Sequence, residues 1–192
     1  MRLMAYAVGI LRREKGVLHT WVLGNITAGG TGKSPHARLF VRELEAILGK
    51  GTVGMLSRGY GRDTRGFSWV EGNSTSRNVG DEPLMLKRQM PDVDVAVCED
   101  RLEGLRQMKQ QRPLLQWVVL DDAFQHMRLE PDVSTILLDA TQPMKRDWLL
   151  PAGRLRDLKS SLKRADSALI TRSLGDEERE LLESGWPGHG PV

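Results

Sequence analysis

The segment 21-WVLGNITAGGTGKS-34 decides how this chain folds. A short apolar run, typical of a buried strand, leads directly into a glycine-rich turn, and a helical pattern over residues 34–48 follows. Glycines let the backbone N–H groups of such a turn face a chain of phosphates without Cβ clashes, and the N-terminal end of the helix adds positive charge. The segment therefore predicts a phosphate-binding loop. Its predicted ligand-binding residues are Thr27, Ala28, Gly29, Gly30, Thr31, Gly32, Lys33 and Ser34.

Two side chains of this loop suit a nucleoside triphosphate. Lys33 is placed to reach the β- and γ-phosphates, and the Ser34 hydroxyl is placed to bind Mg²⁺. The generic form of the loop has glycine at position 27, where this chain has Thr27. Taken alone, the loop predicts triphosphate binding and does not choose a reaction.

The rest of the chain alternates short apolar runs with helical patterns. This alternation predicts βαβ units, and hence a three-layer α/β sandwich of the P-loop NTPase kind with a mostly parallel sheet. Residues 61–78 are polar and predict a loop or a small hairpin, and residues 141–161 are irregular. The predicted strands are 18–26, 52–57, 93–98, 116–120, 133–138 and 167–171, and the predicted helices are 34–48, 82–90, 101–111 and 175–184.

Carboxylates follow one of the predicted strands. Asp121 and Asp122 come directly after an apolar run, which is the usual form of a second Mg²⁺-binding element in proteins with this loop. Two solvated loop aspartates are the alternative, but Gln125 and His126 follow in the same compact DDAFQH block. Asp81 precedes a helical pattern, and its position alone predicts a residue at the start of a helix.

Two basic segments are ambiguous from their spacing. Arg58 and Arg62 in SRGYGR, and the segment LPAGRLRD over residues 150–157, either grip an anion by forked hydrogen bonds or form solvated turns. His126 and Cys98, taken singly, are more often structural than catalytic.

Length and charge narrow the class of protein. The 192 residues suffice for one domain, and 28 Lys and Arg against 25 Asp and Glu make a weak bias toward anionic partners, without the dense basic tract that nucleic acid requires. A single cysteine, Cys98, excludes an internal disulfide. With neither a signal-peptide pattern nor a membrane-spanning apolar run in the sequence, we expect a cytoplasmic protein.

The two ends of the chain differ in composition from the domain between them. Residues 2–15 carry apolar side chains at helical spacing with basic residues at both ends, so we predict an N-terminal amphipathic helix over residues 1–17, docked on the core or lying on an anionic membrane. The phosphate-loop domain is expected over residues 18–174. Residues 175–192 are expected to form a helix and a Gly/Pro-rich tail, with a truncation point there.

Five blocks, in order, resemble one family. They are GNITAGGTGKSP from residue 24, LSRGYGR from 56, VGDEP from 79, DDAFQH from 121 and LPAGRLRD from 150. Together they are similar to the signature set of tetraacyldisaccharide 4'-kinases, in which threonine at the position of Thr27 is in keeping with the family's own loop. The resemblance runs from the strand before the phosphate loop to about residue 171.

The resemblance implies an activity. The family uses ATP and Mg²⁺ to phosphorylate the 4'-hydroxyl of tetraacyldisaccharide 1-phosphate, making lipid IVA in lipid A biosynthesis. The family works peripherally at the cytoplasmic face of the inner membrane of Gram-negative bacteria, which makes a membrane contact of the N-terminal segment more plausible. A further, smaller C-terminal domain, apparently lacking here, is also implied.

The resemblance assigns roles residue by residue. Lys33, Asp81 and Asp121 would be catalytic, with Asp81 as the general base on the sugar hydroxyl. Ser34, Asp121 and Asp122 would hold Mg²⁺. The residues that would face the lipid substrate or the transferred phosphate are Arg58, Tyr60, Arg156 and Asp157.

Two other functions stay open at this point. The chain could be a catalytically incomplete fragment that binds ATP and transfers nothing. A P-loop GTPase or metallochaperone has less support, because the sequence shows no clear NKxD base-reading motif and no His/Cys cluster.

Overall fold

A seven-stranded sheet forms the centre of the molecule. The structure, a computed structural model, describes residues 11–28, 32–142 and 147–172. The strands of the sheet are β2 (His19–Gly24), β3 (Val53–Ser57), β4 (Ser68–Trp69), β5 (Asp94–Val97), β6 (Trp117–Asp121), β8 (Val133–Asp139) and β9 (Ser167–Thr171), and a separate pair joins β1 (Glu14–Lys15) to β7 (Leu129–Glu130). The strand order in the sheet is β4-β5-β3-β6-β2-β8-β9, and every neighbouring pair is parallel except β4 with β5.

Helices cover both faces of the sheet. The helices are α1 (Lys33–Leu48), α2 (Ser76–Val79), α3 (Asp81–Gln89) and α4 (Arg101–Gln111), with a 3₁₀ turn over Lys159–Arg164. Alternate residues of the central strands enter two cores: Leu56 and Leu120 pack with α4, whereas Met55 and Val119 pack with α1 and α3. Because side chains alternate along a strand, consecutive apolar residues such as Met55 and Leu56 in β3 and Val119 and Leu120 in β6 require a layer on each side. The predicted three-layer α/β sandwich is therefore confirmed.

Most predicted elements are found with small shifts at their ends. The six predicted strands correspond to β2, β3, β5, β6, β8 and β9, and the first three predicted helices correspond to α1, α3 and α4. The fourth predicted helix, 175–184, and the rest of the tail lie outside the described residues. Of the loop or small hairpin predicted for residues 61–78, the structure shows mostly loop, together with β4, which pairs antiparallel with β5, and the short helix α2.

The N-terminal prediction is corrected where the structure describes it. Residues 1–10 lie outside the described residues, and residues 11–15 are not helical. Instead, β1 pairs in parallel with β7, the Glu14 N–H donates to the Arg128 carbonyl at 2.8 Å, and the Glu14 carboxylate meets the Arg128 guanidinium at 3.0 Å. A long-range backbone partner thus outweighs the local helical pattern. Among the described residues, no helix is long and apolar enough to cross a membrane.

The start of α3 is held by the backbone of Gly80. This residue has φ of 92°, and a Cβ atom there would lie 2.9 Å from the Tyr60 carbonyl oxygen. Only glycine meets both conditions without strain. The close approach fixes Asp81, the first residue of α3, beside the loop that follows β3.

Candidate active site

The phosphate loop leaves β2 and enters α1 beside the irregular segment near residue 155. Thr27 forms a β-bridge with Leu155, and the Ala28 N–H donates to the Arg154 carbonyl at 2.6 Å. Gly32 precedes α1 with φ of 79°. Gly29, Gly30 and Thr31 lie outside the described residues. Both described ends of the loop therefore lie at the carboxyl edge of the sheet, where ligands bind in open α/β folds.

Lys33 occupies the centre of this edge. Its Nζ lies 3.2 Å from Asn25 Oδ1 and 3.4 Å from Asp122 Oδ1, and its side chain is only 12% exposed. Two oxygen ligands from different strand ends hold the ammonium group in place. A cation positioned in this way is arranged to neutralise a triphosphate chain.

Ser34 contacts a residue that the sequence interpretation did not select. Its Oγ donates to Glu82 Oε1 at 2.6 Å, which joins α1 to the start of α3. The signal in the sequence is the position of Glu82 beside Asp81 in the VGDEP block. This bond brings a third acidic side chain next to the predicted magnesium site.

Asp121 and Asp122 are neighbours in opposite electrostatic environments. Asp121 is fully buried, and neither carboxylate oxygen has a hydrogen-bond partner among the described residues. Burial, followed by the charges of Glu82 and Asp122, raises the pKa of Asp121 to about 7. Burial also works to raise the pKa of Asp122, but the Arg156 hydrogen bonds and the charges of Lys33 and Arg156 outweigh it, so this pKa is lowered.

Arg156 binds the end of β6 through a forked contact. Its two terminal nitrogens donate to the Asp122 oxygens at 2.7 and 2.8 Å, and one of them also bonds Asn25 Oδ1. Asp122 takes the left-handed backbone conformation, with φ of 50°, that turns its carboxylate toward these cations. Hydrogen bonding to Asp122 raises the pKa of Arg156, so the pair stays ionised.

A cleft of about 730 Å³ opens in front of these groups. Five predicted site residues line it, although they come from four separate parts of the chain: Arg58, Tyr60, Asp81, Asp122 and Arg156. The lining also includes Ser57, Glu82, Pro83, Glu99, Arg101, Gln125 and His126. The cleft thus brings together an acid at a helix start, two basic loops and the acidic end of β6.

Two residues of the basic segments have internal partners instead. Asp157 is not among the residues that line the cleft; its Oδ2 binds Arg164 at 2.8 Å, and its Oδ1 accepts from the Leu158 N–H. The prediction that Asp157 faces the substrate stays a prediction, made for a carboxylate that has an internal partner in Arg164. The Arg62 side chain is 2% exposed and bonds Glu99 at 2.7 Å, so it holds its own loop and does not present a free charge.

Arg101 is a buried residue of the cleft and His126 a half-buried one, and the sequence interpretation did not resolve the position of either. Arg101 donates to the Cys98 carbonyl at 2.8 Å, and burial, with the nearby charge of Arg58, lowers its pKa to about 10. Burial, with the charge of Arg101, lowers the pKa of His126 to about 4. His126 is therefore neutral at pH 7. Only its place in the DDAFQH block could have indicated the cleft.

The oxygen ligands at this edge fit a magnesium ion that is shared with phosphates. Ser34, Asp121 and Asp122 supply a hydroxyl and two carboxylates, and the unpartnered oxygens of Asp121 are the clearest sign of a missing partner. Among the described residues, no group of three His, Cys, Asp or Glu side chains forms a metal site by itself. Magnesium usually combines one or two carboxylates with water and substrate phosphates, so this set is sufficient.

The shifted pKa values of Asp121 and His126 predict opposite effects of pH on the stability of the fold. Asp121 has a folded pKa of about 7 against 3.8, so it stabilises the fold below pH 4 and this contribution is lost as the pH rises through 7. His126 has a folded pKa of about 4 against 6.5, so its contribution is present above pH 6.5 and is lost as the pH falls through 4. Each contributes about 1.4 kcal/mol per pH unit between its limits.

Replacing Asp121 or His126 should remove that residue's contribution to the pH dependence of the unfolding free energy and leave the contribution of the other. Between pH 5 and 8, the unfolding free energy of Asp121→Asn is expected to rise relative to wild type by about 3 kcal/mol, because the loss at Asp121 disappears. His126→Gln should change in the opposite direction below pH 6.5. Urea unfolding at four pH values measures both, and parallel curves for wild type and both variants would contradict the assignment.

The sheet order, the loop at its carboxyl edge and the acidic strand end define a P-loop protein of the α/β class. The chain belongs to the LpxK family, tetraacyldisaccharide-1-P 4'-kinase, whose family model matches residues 1–186.

Several relatives support this membership. The chain is 46% identical over 152 residues to a tetraacyldisaccharide 4'-kinase of Cytophaga hutchinsonii, covering 79% of this chain and 42% of that protein. It is 42% identical over 167 residues to the protein of the same name in Parabacteroides distasonis, and the match covers 85% of this chain and 44% of that protein. A crystal structure of LpxK from Aquifex aeolicus in complex with ATP matches with a TM-score of 0.80 and 32% identity, covering 89% of this chain and 53% of that one. The chain therefore spans less than half the length of these two curated relatives.

Proposed function

We propose that this chain forms the nucleotide-binding part of a kinase that transfers the γ-phosphate of ATP to the 4'-hydroxyl of tetraacyldisaccharide 1-phosphate, giving lipid IVA. The observation that carries the proposal is that Asp81 lies in one cleft with Asp122 and Arg156. Asp122 forms ion pairs with both Lys33 and Arg156. A hydroxyl bound at Asp81 would face the end of a triphosphate held by residues 27–34. The family's description and the names of the relatives supply the acceptor.

The predicted site residues have distinct roles in this reaction. Lys33 and the loop N–H groups neutralise the phosphates, and Asp81 accepts the proton of the attacking hydroxyl. A new bond forms between O4' and the γ-phosphorus while the bond to the β,γ-bridging oxygen breaks, leaving ADP. Ser34, Asp121 and Asp122 would hold Mg²⁺, which offsets charge on the phosphates when bound. Arg58, Tyr60 and Arg156 would face the acceptor or the transferred phosphate.

The acceptor also determines where the protein would work. A disaccharide with four acyl chains stays in a membrane, so the kinase would meet it at the cytoplasmic face of the inner membrane of a Gram-negative bacterium, as a peripheral protein. The basic, amphipathic sequence before residue 15 supports such a contact.

Direct transfer tests the proposal. The chain is incubated with Mg²⁺, ATP and tetraacyldisaccharide 1-phosphate in detergent micelles, and the product is identified by mass spectrometry and ³¹P NMR. We expect a second phosphate at the 4'-position and none with the 4'-deoxy acceptor. Binding of ATP without transfer to either acceptor would contradict phosphoryl transfer by this chain and would favour a nucleotide-binding role without catalysis.

A further inference from the structure

A buried arginine closes the loop that follows β3. The Arg62 side chain is 2% exposed, and one of its terminal nitrogens donates to Glu99 Oε1 at 2.7 Å and to the Gly66 carbonyl at 2.5 Å. The other oxygen of the same carboxylate accepts from the Gly66 N–H at 3.0 Å. Because Glu99 lies two residues after β5, this carboxylate fastens both ends of the segment 62–66 to the sheet.

The geometry of this contact matters more than its contribution to stability. Burial works to raise the pKa of Glu99, but hydrogen bonds from Arg62 and from backbone N–H groups outweigh it, so this pKa is lowered and the pair stays ionised. Arg62 Nε and Nη1, however, are buried without a hydrogen-bond partner among the described residues, and such unmet donors cost free energy. The Glu99 side chain is 40% exposed, so water can solvate its carboxylate when the arginine is replaced. An uncharged residue at position 62 should therefore leave the protein folded.

The stem of Arg62 supports the backbone of Gly59. This glycine has φ of 70°, and a Cβ atom there would lie 2.7 Å from Arg62 Cδ and 3.0 Å from the Val79 carbonyl oxygen. A Cβ atom at Gly80 would lie 3.3 Å from the Gly59 Cα atom. Gly59 is therefore packed between the arginine stem and the two residues that precede Asp81, with little space to move toward either.

Two hydrogen bonds extend this packing along α2. The Asp63 N–H donates to the Arg77 carbonyl at 2.7 Å, and the Thr64 hydroxyl donates to the Asn78 carbonyl at 2.6 Å. The segment 62–66 thus runs beside the stretch of chain that leads into α3. A displacement of this segment would carry the start of α3 with it.

The Asp81 carboxylate depends on this support. No group in the described part of the chain forms a hydrogen bond or an ion pair with it, so its position follows from that of its own backbone. A general base must lie within hydrogen-bond reach of the hydroxyl, and a misplacement of about 1 Å can lower the rate by about a hundredfold. Small movements of the loop after β3 should therefore change the reaction without changing the phosphate loop.

We propose that Arg62 is a positioning residue for Asp81. Paired with Glu99, it holds Gly59 against the end of α2, and this contact fixes the start of α3, and hence the Asp81 carboxylate, relative to the phosphate loop. Arg62 itself is not among the residues that line the cleft. The inference rests on the proposed function for the role of Asp81 as the base, whereas the support of the α3 start is testable without turnover.

Amide hydrogen exchange measured by NMR tests the support directly. Arg62→Met keeps the length of the stem and removes the charge, and we expect it to make exchange about tenfold faster at the N–H groups of Asp63, Val79 and Gly80. All three groups donate to carbonyls of residues 75–77. Exchange in α1 and the affinity for ATP should not change.

The matched control is Arg112→Met. Arg112 pairs with Asp94, the first residue of β5, at 3.4 Å, so this variant removes an ion pair from the opposite end of the same strand. Exchange at residues 63, 79 and 80 should stay as in wild type. Wild-type exchange at these positions in Arg62→Met, or an acceleration spread evenly over the whole fold, would overturn the inference.

A double-mutant cycle in phosphoryl transfer then tests whether Arg62 acts through Asp81. We expect Arg62→Met to lower kcat by roughly ten- to a hundredfold at an unchanged Kd for ATP, and Arg62→Lys, which can still pair with Glu99, to recover part of the loss. In the Asp81→Asn background, Arg62→Met should have no further effect, because the base that it positions is gone. Equal losses in both backgrounds would overturn the inference. Absence of transfer by wild type would instead contradict the proposed function, and the exchange measurement alone would decide whether Arg62 supports the start of α3.

Discussion

Lys33→Ala is expected to lower kcat/KM for acceptor phosphorylation by about a thousandfold. Removing one preorganised group that stabilises developing charge typically lowers the rate by 10²–10³-fold, and Lys33 is held at the site by Asn25 and Asp122 before any ligand arrives. The loss should be accompanied by weaker ATP binding, because the same ammonium group faces the phosphates in the ground state. Turnover and equilibrium binding of ATP measure the two effects.

The substitution should leave the fold intact. Asp122 keeps its forked contact with Arg156 when the lysine is absent, so no ionised carboxylate is left without a partner. Lys50→Ala, at an exposed turn after α1, is the matched control and should retain full activity. Turnover of Lys33→Ala within tenfold of wild type, with an unchanged melting temperature, would rule out a central role for this lysine.

Asp81→Asn is expected to lower kcat by a factor of about 10²–10⁴, the usual range for loss of a general base. Asparagine keeps the size of the side chain and suits a helix start, so the fold should lose less than about 1 kcal/mol from the weaker helix-dipole interaction. ATP binding should not change, because Asp81 belongs to the acceptor side of the cleft. This separation distinguishes Asp81→Asn from Lys33→Ala.

Neighbouring acidic residues supply the comparison for Asp81. Asp92→Asn, at an exposed turn after α3, should keep wild-type turnover. Glu82→Gln changes the residue that accepts the Ser34 hydrogen bond, and it should affect the magnesium dependence of the reaction more than the acceptor step. If Asp81→Asn and Glu82→Gln produce the same kinetic defect, Asp81 is not the base.

The sheet was predictable because its central strands are buried on both faces. Such strands must be apolar at nearly every position, and the runs that end at Ser57 and Asp121 are recognisable without partners. Strands of two residues carry no such pattern. β1 and β4 exist because a backbone partner lies next to them in space, at Leu129–Glu130 and Ala96–Val97, and local sequence does not contain that information.

The site was predictable as a set of motifs and not as a set of contacts. The phosphate loop, Asp81 and Asp122 stand in recognisable blocks, and the structure brings them to one edge of the sheet. Glu82 and Asp157 show what the motifs alone do not reveal, namely the partner of each carboxylate. Whether each carboxylate faces a ligand or an internal partner depends on Ser34, 48 positions from Glu82, and on Arg164 within the 3₁₀ turn. Spacing along the chain cannot choose between such partners.

The position of β2 in the sheet affects the order in which the protein can fold during synthesis. His19 pairs with Trp117, and Trp21 pairs with Val133, so the strand that carries the phosphate loop lies between two strands made about a hundred residues later. At the usual rate of translation, β2 would wait roughly 5–20 seconds on the ribosome before its partners emerge. During this interval an apolar strand with two unpaired edges is available to chaperones, and to other nascent chains as an aggregation site.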